Sequence, residues 1–506
     1  MAFCMLAQSV TAQIPPEALQ EFLAKDAWEK SGLVEYPKQV REFYKMYHYN
    51  IVWLYNEVRR KRLLDFLKMS PNLGLKEKDY HFNFIRKFPG NKLTIKDSLI
   101  AEIRFTNAAI HFFRDVVFGN ISPDIGYNGL NYFPDCFNIP SLLTSSLLSG
   151  QFSSFLQRIE MQSPEYIAIK NKIIQYNKML KDTAIKHEIR IKSKLMNSEN
   201  KPLILKLYQL GLIDSLSRSS TPGELKEKIK EAQQLFSVLD DGVLGTTTMR
   251  ELNLPLSVRI SWLNIALNTI RWLRCIREQE QYTIIVNIPS ATLLMYGPGN
   301  LIKESKIIVG KKSTPTPTLC SNITEVILFP YWFVPKKIAS RELLPLIKKN
   351  ISYLNANNFQ VLNEHGEIIL PFSVNWKALS ANYFPYTLRQ STGCDNSLGI
   401  IKLNFYSPYS VYLHDTPLKS LFDFNRRYFS HGCMRVEKAV ELARFVLKDN
   451  TIAVDTITEK SCLYNQKPIS VPVNEKVPLF VLYSPAWVDS SATVRFYGNI
   501  YNKKKF

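Results

Sequence analysis

The stretch Ser430-His431-Gly432-Cys433-Met434-Arg435 and the upstream Tyr412-Leu413-His414-Asp415 bring together the residue types of acyl transfer: a thiol, imidazoles and a cation. A cysteine attacks a carbonyl as its thiolate, so it needs a base to take the proton and donors to hold the oxyanion that forms. His414, 19 residues before Cys433, is one candidate base, and His431, two residues before the thiol, is its rival. A histidine that close in a tight turn suits shaping the loop, together with Ser430. Gly432 has no side chain to obstruct close backbone approach, so the N–H groups of Gly432 and Cys433 suit the oxyanion. A lone Cys and a lone His would read more simply as buried, inert residues; the combined pattern reverses that reading.

These groups can meet only if regular elements carry them. Ser410 to His414 has strand character and would end at the imidazole. Val436, Ala439, Val440, Ala443, Val446 and Leu447 fall on one helical face, which predicts a helix beginning directly after Cys433. Its free N–H groups and dipole, with Arg435, would then stabilise the thiolate. Further strands are expected over Tyr282 to Ile288, Thr292 to Tyr296, Lys306 to Val309, Glu325 to Val334 and Gly399 to Phe405, all rich in Val, Ile, Tyr and Phe between Pro, Gly and Asn. The first 200 residues read differently. Apolar residues recur there at three- and four-residue steps, as in Phe43 to Leu67 and Leu99 to Val117. Ser215 to Gly223 is a polar connecting loop, and Asp240 to Gly245 a turn before Thr246-Thr247-Thr248, which can cap a short helix to Leu252. The fold class is a multidomain α+β chain: helices first, a small helical module, then a mostly-β domain carrying the chemistry.

With 506 residues, 46% of them hydrophobic and 21% charged, the chain has material for two to four domains and is not generally disordered. Its 64 Lys and Arg against 44 Asp and Glu leave a net charge of +20, which favours an anionic partner. No basic run is interleaved with stacking aromatics, so nucleic acid is not expected. No apolar run reaches the roughly 18 residues of a membrane span. Residues 1–12 are apolar and end in small residues, Ser9-Val10-Thr11-Ala12, which reads as a signal-peptide remnant and predicts export. The other six cysteines are scattered without a C-x-x-C pair or a Cys/His zinc spacing. Neither a metal site nor a dense disulfide framework is expected, and one thiol is free to work.

The active-site stretch resembles that of the L,D-transpeptidases, whose YkuD-type catalytic domain carries a His followed by a Ser-His-Gly-Cys-x-Arg signature. Similarity extends through Val286-Asn287-Ile288-Pro289, Val309-Gly310-Lys311, Pro330-Tyr331-Trp332, Glu342-Leu343-Leu344-Pro345, Arg389-Gln390 and Asn396-Ser397-Leu398-Gly399. Asp241-Gly242-Val243-Leu244-Gly245 and Arg271-Trp272-Leu273 are similar to the small module of the large periplasmic form. Ser391-Thr392-Gly393 departs from the pattern in lacking a proline, as does Asn268-Thr269 in lacking charges.

The resemblance implies a signal-peptide remnant (1–12), a scaffold domain (13–200), a peptidoglycan-binding-like module (201–256), a linking helix (257–280), a catalytic domain (281–458) with a capping insertion at about 331–394, and a C-terminal extension (459–506) packing on the scaffold. It makes Cys433 the nucleophile and His414 the base, with Gly432, His431 and Ser430 forming the oxyanion site or shaping it. Arg435, Tyr412 and Asp415 fall to substrate binding. The implied enzyme is a periplasmic, monomeric peptidoglycan cross-linking acyltransferase that uses no cofactor, takes stem peptides as partners and is acylated by carbapenems. A carboxypeptidase trimming the same stems, or a noncatalytic wall-binding protein, are the alternatives.

Overall fold

The computed structural model describes residues 13–25, 28–29, 34–88, 93–130, 136–182, 189–192, 194, 199–216, 221–448, 452–455, 457, 463 and 466–503. The signal-peptide reading of residues 1–12 lies outside them. The chain forms two compact units: residues up to Ser122 with 133–189 and 254–276, and residues 123–132, 190–253 and 277–506. No helix among the described residues is long and apolar enough to cross a membrane.

The first unit is helical. Its long helix Ile95–Phe118 is capped by the Thr94 side chain accepting from Asp97 N–H, and fifteen of its residues are buried. The apolar pattern from Phe43 to Leu67 is not one helix but two, Pro37–Met46 and Glu57–Lys68. His48 and Tyr49 adopt positive φ between them, and Asn56 restarts the helix by accepting from Arg59 N–H at 3.0 Å. Glu102, fully buried on the long helix, accepts from the backbone N–H groups of Val52 at 2.6 Å and of Trp53 and Leu54 at 3.1 Å each, and from the Tyr44 hydroxyl at 3.1 Å. Three orphan donors of the interhelical turn are thereby satisfied. The linking helix, Leu256–Gln279, belongs largely to this unit, where a disulfide joins its Cys275 to Cys136.

The second unit is built on strands. Its strands are β1 (Tyr127–Asn128), β2 (Thr283–Asn287), β3 (Thr292–Tyr296), β4 (Leu301–Gly310), β5 (Leu319–Leu328), β6 (Trp332–Phe333), β7 (Phe359–Leu362), β8 (Ile368–Ile369), β9 (Thr387–Gln390), β10 (Ile401–Phe405), β11 (Leu413–His414), β12 (Tyr428–Ser430), β13 (Met434–Val436), β14 (Ile469–Leu482), β15 (Ala486–Val488) and β16 (Val494–Phe496). The main sheet runs β5-β10-β11-β13-β4-β3-β2-β14, and β14 pairs again with β5, so these strands close a ring. Within the segment expected as a C-terminal extension against the scaffold, β14 instead pairs parallel with β2 and antiparallel with β5 and closes the main sheet. Closure depends on pairing between residues far apart in the chain, which no local pattern announces.

Two satellites complete the unit. In the small module, the helices Pro222–Leu235 and Thr246–Leu252 flank a turn that Gln233 organises, accepting from Gly242 N–H at 2.7 Å and donating to Asp241 Oδ1 at 2.8 Å. Gly242 sits at φ +74°, which explains the glycine. The threonines expected as caps lie inside the second helix, whose N-cap is Gly245. The insertion has its own sheet, β6-β9-β7-β8, and its own core around Leu354, Val361 and Leu388. Asn396 ties its two ends, donating to Pro330 O at 3.2 Å and Ser391 O at 2.7 Å.

Candidate active site

Strand register places the chemistry. Lys402 of β10 pairs with His414 of β11, and His414 pairs with Arg435 of β13. Tyr412 and Cys433, each two residues earlier and just outside the strands, lie beside this row: the Tyr412 ring is 5.6 Å from that of His414, and its phenol is bonded to the Cys433 thiol. The neighbouring row, Leu403, Leu413 and Met434, faces the other way into one apolar core with the helix Ala439–Leu447. Five side chains that can carry charge or protons thus lie together, while the alternate positions hold the strands in place.

Cys433 is not at a helix N-terminus. Met434–Val436 forms β13, with Met434 N–H donating to Tyr412 O at 3.0 Å, and the helix begins only at Ala439. Val436 belongs both to the strand and to the apolar period that suggested a longer helix. The helix dipole therefore does not act on the thiol. Burial pushes the Cys433 thiol above its ordinary range, and a Tyr412 backbone N–H, the Tyr412 phenol, Lys402 and Arg435 act against that rise. Burial likewise raises the Tyr412 phenol, whose hydrogen-bond partners are Cys433 and Trp332 of the insertion.

His414 is buried, and its Nδ1 lies 2.6 Å from the Asp415 carbonyl oxygen. Burial, then Arg435, pull its pKa to about 3, with Lys402 adding to them, while backbone hydrogen bonds to Asp415 and Leu398 oppose the shift. The ring is therefore neutral at physiological pH. Nδ1–H donated to Asp415 O leaves Nε2 as the basic nitrogen. The Asp415 carboxylate is itself engaged, bonding Lys419 and accepting from Ile400 N–H at 3.1 Å. A Cβ on Gly399 would meet that carboxylate at 2.3 Å. Asp415 thus orients His414 through its backbone, and its side chain anchors the neighbouring turn.

The turn before Cys433 is tied from several sides. Ser430 Oγ donates to Cys433 O at 2.5 Å and accepts from Gly432 N–H at 3.1 Å. The Gly432 N–H, expected to serve an oxyanion, is thereby engaged, and Gly432 itself sits at φ +119°. Thr316 Oγ1 donates to Gly432 O at 2.9 Å, and the Tyr501 hydroxyl accepts from Thr316 N–H at 3.2 Å while donating to Gly310 O at 2.6 Å. The C-terminal segment thus buttresses the turn. His431 meets the insertion: its Nε2 lies 2.9 Å from Glu342 Oε1 and 3.5 Å from Lys311 Nζ.

Sequence reasoning missed Lys402 as a neighbour of the site and placed Trp332 and Glu342 only within the capping insertion. Alternation along Ile401 to Phe405 marks Lys402 as pointing away from the core, but nothing local reveals that His414 is its cross-strand partner.

Residues 281–456 match the family model described as the L,D-transpeptidase catalytic domain, YkuD, and residues 38–173 match that of the Scaffold domain. A protein of Haemophilus influenzae named "Putative L,D-transpeptidase" is 39% identical over 220 residues, 43% of this chain and 42% of that protein. The match therefore spans less than half of the curated relative's length. Among solved structures, an L,D-transpeptidase from Mycobacterium smegmatis shares 14% identity over 40% of this chain and 58% of its own, with a TM-score of 0.18. An LD transpeptidase in complex with imipenem shares 13% identity over 40% of this chain and 59% of its own, also with a TM-score of 0.18.

Proposed function

We propose that this chain, whose residues 281–456 are a YkuD-type L,D-transpeptidase catalytic domain, cross-links peptidoglycan stem peptides through a thioester on Cys433. The observation that carries the reading is the grouping of Lys402, Tyr412, His414, Cys433 and Arg435 within that domain. His414 Nε2 takes the thiol proton as Cys433 Sγ attacks the carbonyl between the third residue of a donor tetrapeptide and its terminal D-Ala. The tetrahedral intermediate collapses, the C–N bond breaks, and His414 returns the proton to the departing D-Ala amine. A side-chain amine of a third residue on another stem then attacks the thioester and gives its proton to His414. The C–S bond breaks, and the thiol is restored.

The Cys433 N–H is the oxyanion donor this turn offers, since the Gly432 N–H is bonded to Ser430. Arg435 and the Tyr412 phenol receive the substrate, while Ser430 and His431 shape the turn. The +20 charge suits a polymer bearing carboxylates. The Cys136–Cys275 disulfide suits an oxidising compartment, which supports export to the periplasm.

Purified protein incubated with disaccharide tetrapeptide should yield cross-linked dimer and free D-Ala by mass spectrometry. Tripeptide without dimer would make the enzyme a carboxypeptidase. Unchanged substrate would favour the noncatalytic wall-binding reading. A carbapenem should add its mass to the peptide bearing Cys433, since its strained carbonyl meets the same thiol; an unmodified Cys433 peptide would count against the nucleophile.

A further inference from the structure

Lys402 has no part in the motif that marks the site, yet it occupies a specific place beside it. It pairs with His414 across β10 and β11, and its ammonium lies 4.4 Å from the centre of the Tyr412 ring. That ring's phenol is hydrogen-bonded to the Cys433 thiol. Lysine on an exposed strand face normally extends into water, but Lys402 is only partly exposed, and burial pulls its pKa below the usual ammonium range. The two acidic groups that oppose this fall are Cys433 and Glu325 of β5. Glu325 lies on the same face, paired with Asn404, and is bonded to Asn404 Nδ2 at 2.7 Å and to Ser470 Oγ. The ionisable groups acting on Cys433 are therefore Tyr412, which directly precedes β11, Lys402 from β10 and Arg435 from β13, with His414 between Lys402 and Arg435 in the strand register and Glu325 beside Lys402.

We propose that Lys402 is a positioning residue for the thiolate: its ammonium, steered over the Tyr412 ring, stabilises the anion of Cys433 across the intervening strand β11, and Glu325 competes for that charge. The inference rests on the reading of Cys433 as nucleophile. It assigns Lys402 the role that a helix dipole was expected to fill. A cation near a buried thiol favours ionisation, so removing it should leave the thiol protonated over a wider pH range.

The test uses the full chain and needs no peptide substrate. The rate of Cys433 alkylation by iodoacetamide, measured by mass spectrometry on the peptide bearing that residue, gives the thiol's titration midpoint. Lys402→Met should move the midpoint up by about one unit or more, which lowers the alkylation rate at a fixed pH below the midpoint about tenfold. Lys402→Arg should restore most of the wild-type profile. Glu325→Gln should move the midpoint the opposite way, and it decides the matter if the methionine variant is insoluble. An unchanged midpoint in Lys402→Met, or in Glu325→Gln where the methionine variant cannot be made, would overturn the proposal. Midpoints that shift while tetrapeptide stays untouched would uphold the role of Lys402 and reject the transpeptidase reading. Dimer formation with unshifted midpoints would do the reverse.

Discussion

Glu102 in the helical unit and His414 in the sheet unit are both buried ionisable side chains, but their partners differ in kind. Glu102 collects three consecutive backbone N–H groups and one hydroxyl, so its carboxylate completes a turn. His414 bonds the backbone through Asp415, and the charged groups beside it are the side chains Lys402 and Arg435, each from a different strand. Those side chains can be exchanged without opening a backbone hydrogen bond. A buried group that completes the backbone is part of the scaffold's stability, whereas one set among side chains from separate strands can change charge or partner during a reaction.

The largest expected difference between the regions comes from removing 469–506. This deletion takes away β14, which closes the ring between β2 and β5, and Tyr501, which braces the turn at Gly432 through Thr316. The sheet unit should fail to fold cooperatively, and turnover should vanish, although Cys433 and His414 remain. The helical unit, whose described core draws on residues 19–159, should still melt as a unit by circular dichroism. Loss of the helical transition together with an intact sheet transition would contradict the fold described above and favour the packing on the scaffold expected from sequence.

Point substitutions separate the two kinds of burial next. Cys433→Ala and His414→Ala should each lower turnover on the order of a thousandfold or more while the protein stays folded. Glu102→Ala should do the opposite: it strands buried N–H donors and costs about 3 kcal/mol or more of stability, with turnover per folded molecule unchanged. Denaturant titration beside the tetrapeptide assay measures both. A Glu102 variant that is stable but inactive would erase the distinction.

What was legible in the sequence follows the same division. The long helix was expected over Leu99 to Val117 and spans Ile95–Phe118, because a 3.6-residue period records contacts made locally. Thr292–Tyr296 was legible to the residue, and His414 does end a strand. Cys433 and His414 stand out in the sequence as candidates because their residue types and spacing are unusual, and the register sets His414 beside Arg435. Lys402 and the role of β14 were not legible, since both depend on register between distant strands. The three-residue strand β13 was hidden because its last residue, Val436, shares the period of the helix that follows.

The pH dependence of stability should sharpen the comparison, because the two groups pull in opposite directions. Burial raises Glu102 to about 7 from an ordinary 4.5, against the pull of its N–H partners. The native state then holds the proton more tightly than the unfolded chain, so this group's contribution falls as pH rises between those values. Burial lowers His414 to about 3 from an ordinary 6.5. Here the unfolded chain holds the proton more tightly, so its contribution falls as pH drops between those values. Glu102→Gln should flatten the loss on the alkaline side, and His414→Gln the loss on the acid side, in thermal midpoints recorded across pH 4 to 8. Identical slopes in both variants would show that neither group titrates as its surroundings indicate.

The smallest expected effect concerns the second histidine. His431 is partly exposed and bonded to Glu342 of the insertion at 2.9 Å. An exposed pair of this kind contributes little to stability, about 0 to 1 kcal/mol, and screening by salt reduces it further. Its influence on the reaction runs through the turn, which Ser430, Thr316 and Gly432 hold independently of the imidazole. His431→Ala should therefore keep at least about a tenth of wild-type turnover, far more than His414→Ala. Glu342→Gln should alter the rate less still and chiefly at low ionic strength. Equal losses in the two histidine variants would leave the base unassigned. Greater loss from His431→Ala would transfer the proton to the insertion-facing histidine, and the buried face would then bind the substrate instead of activating the thiol.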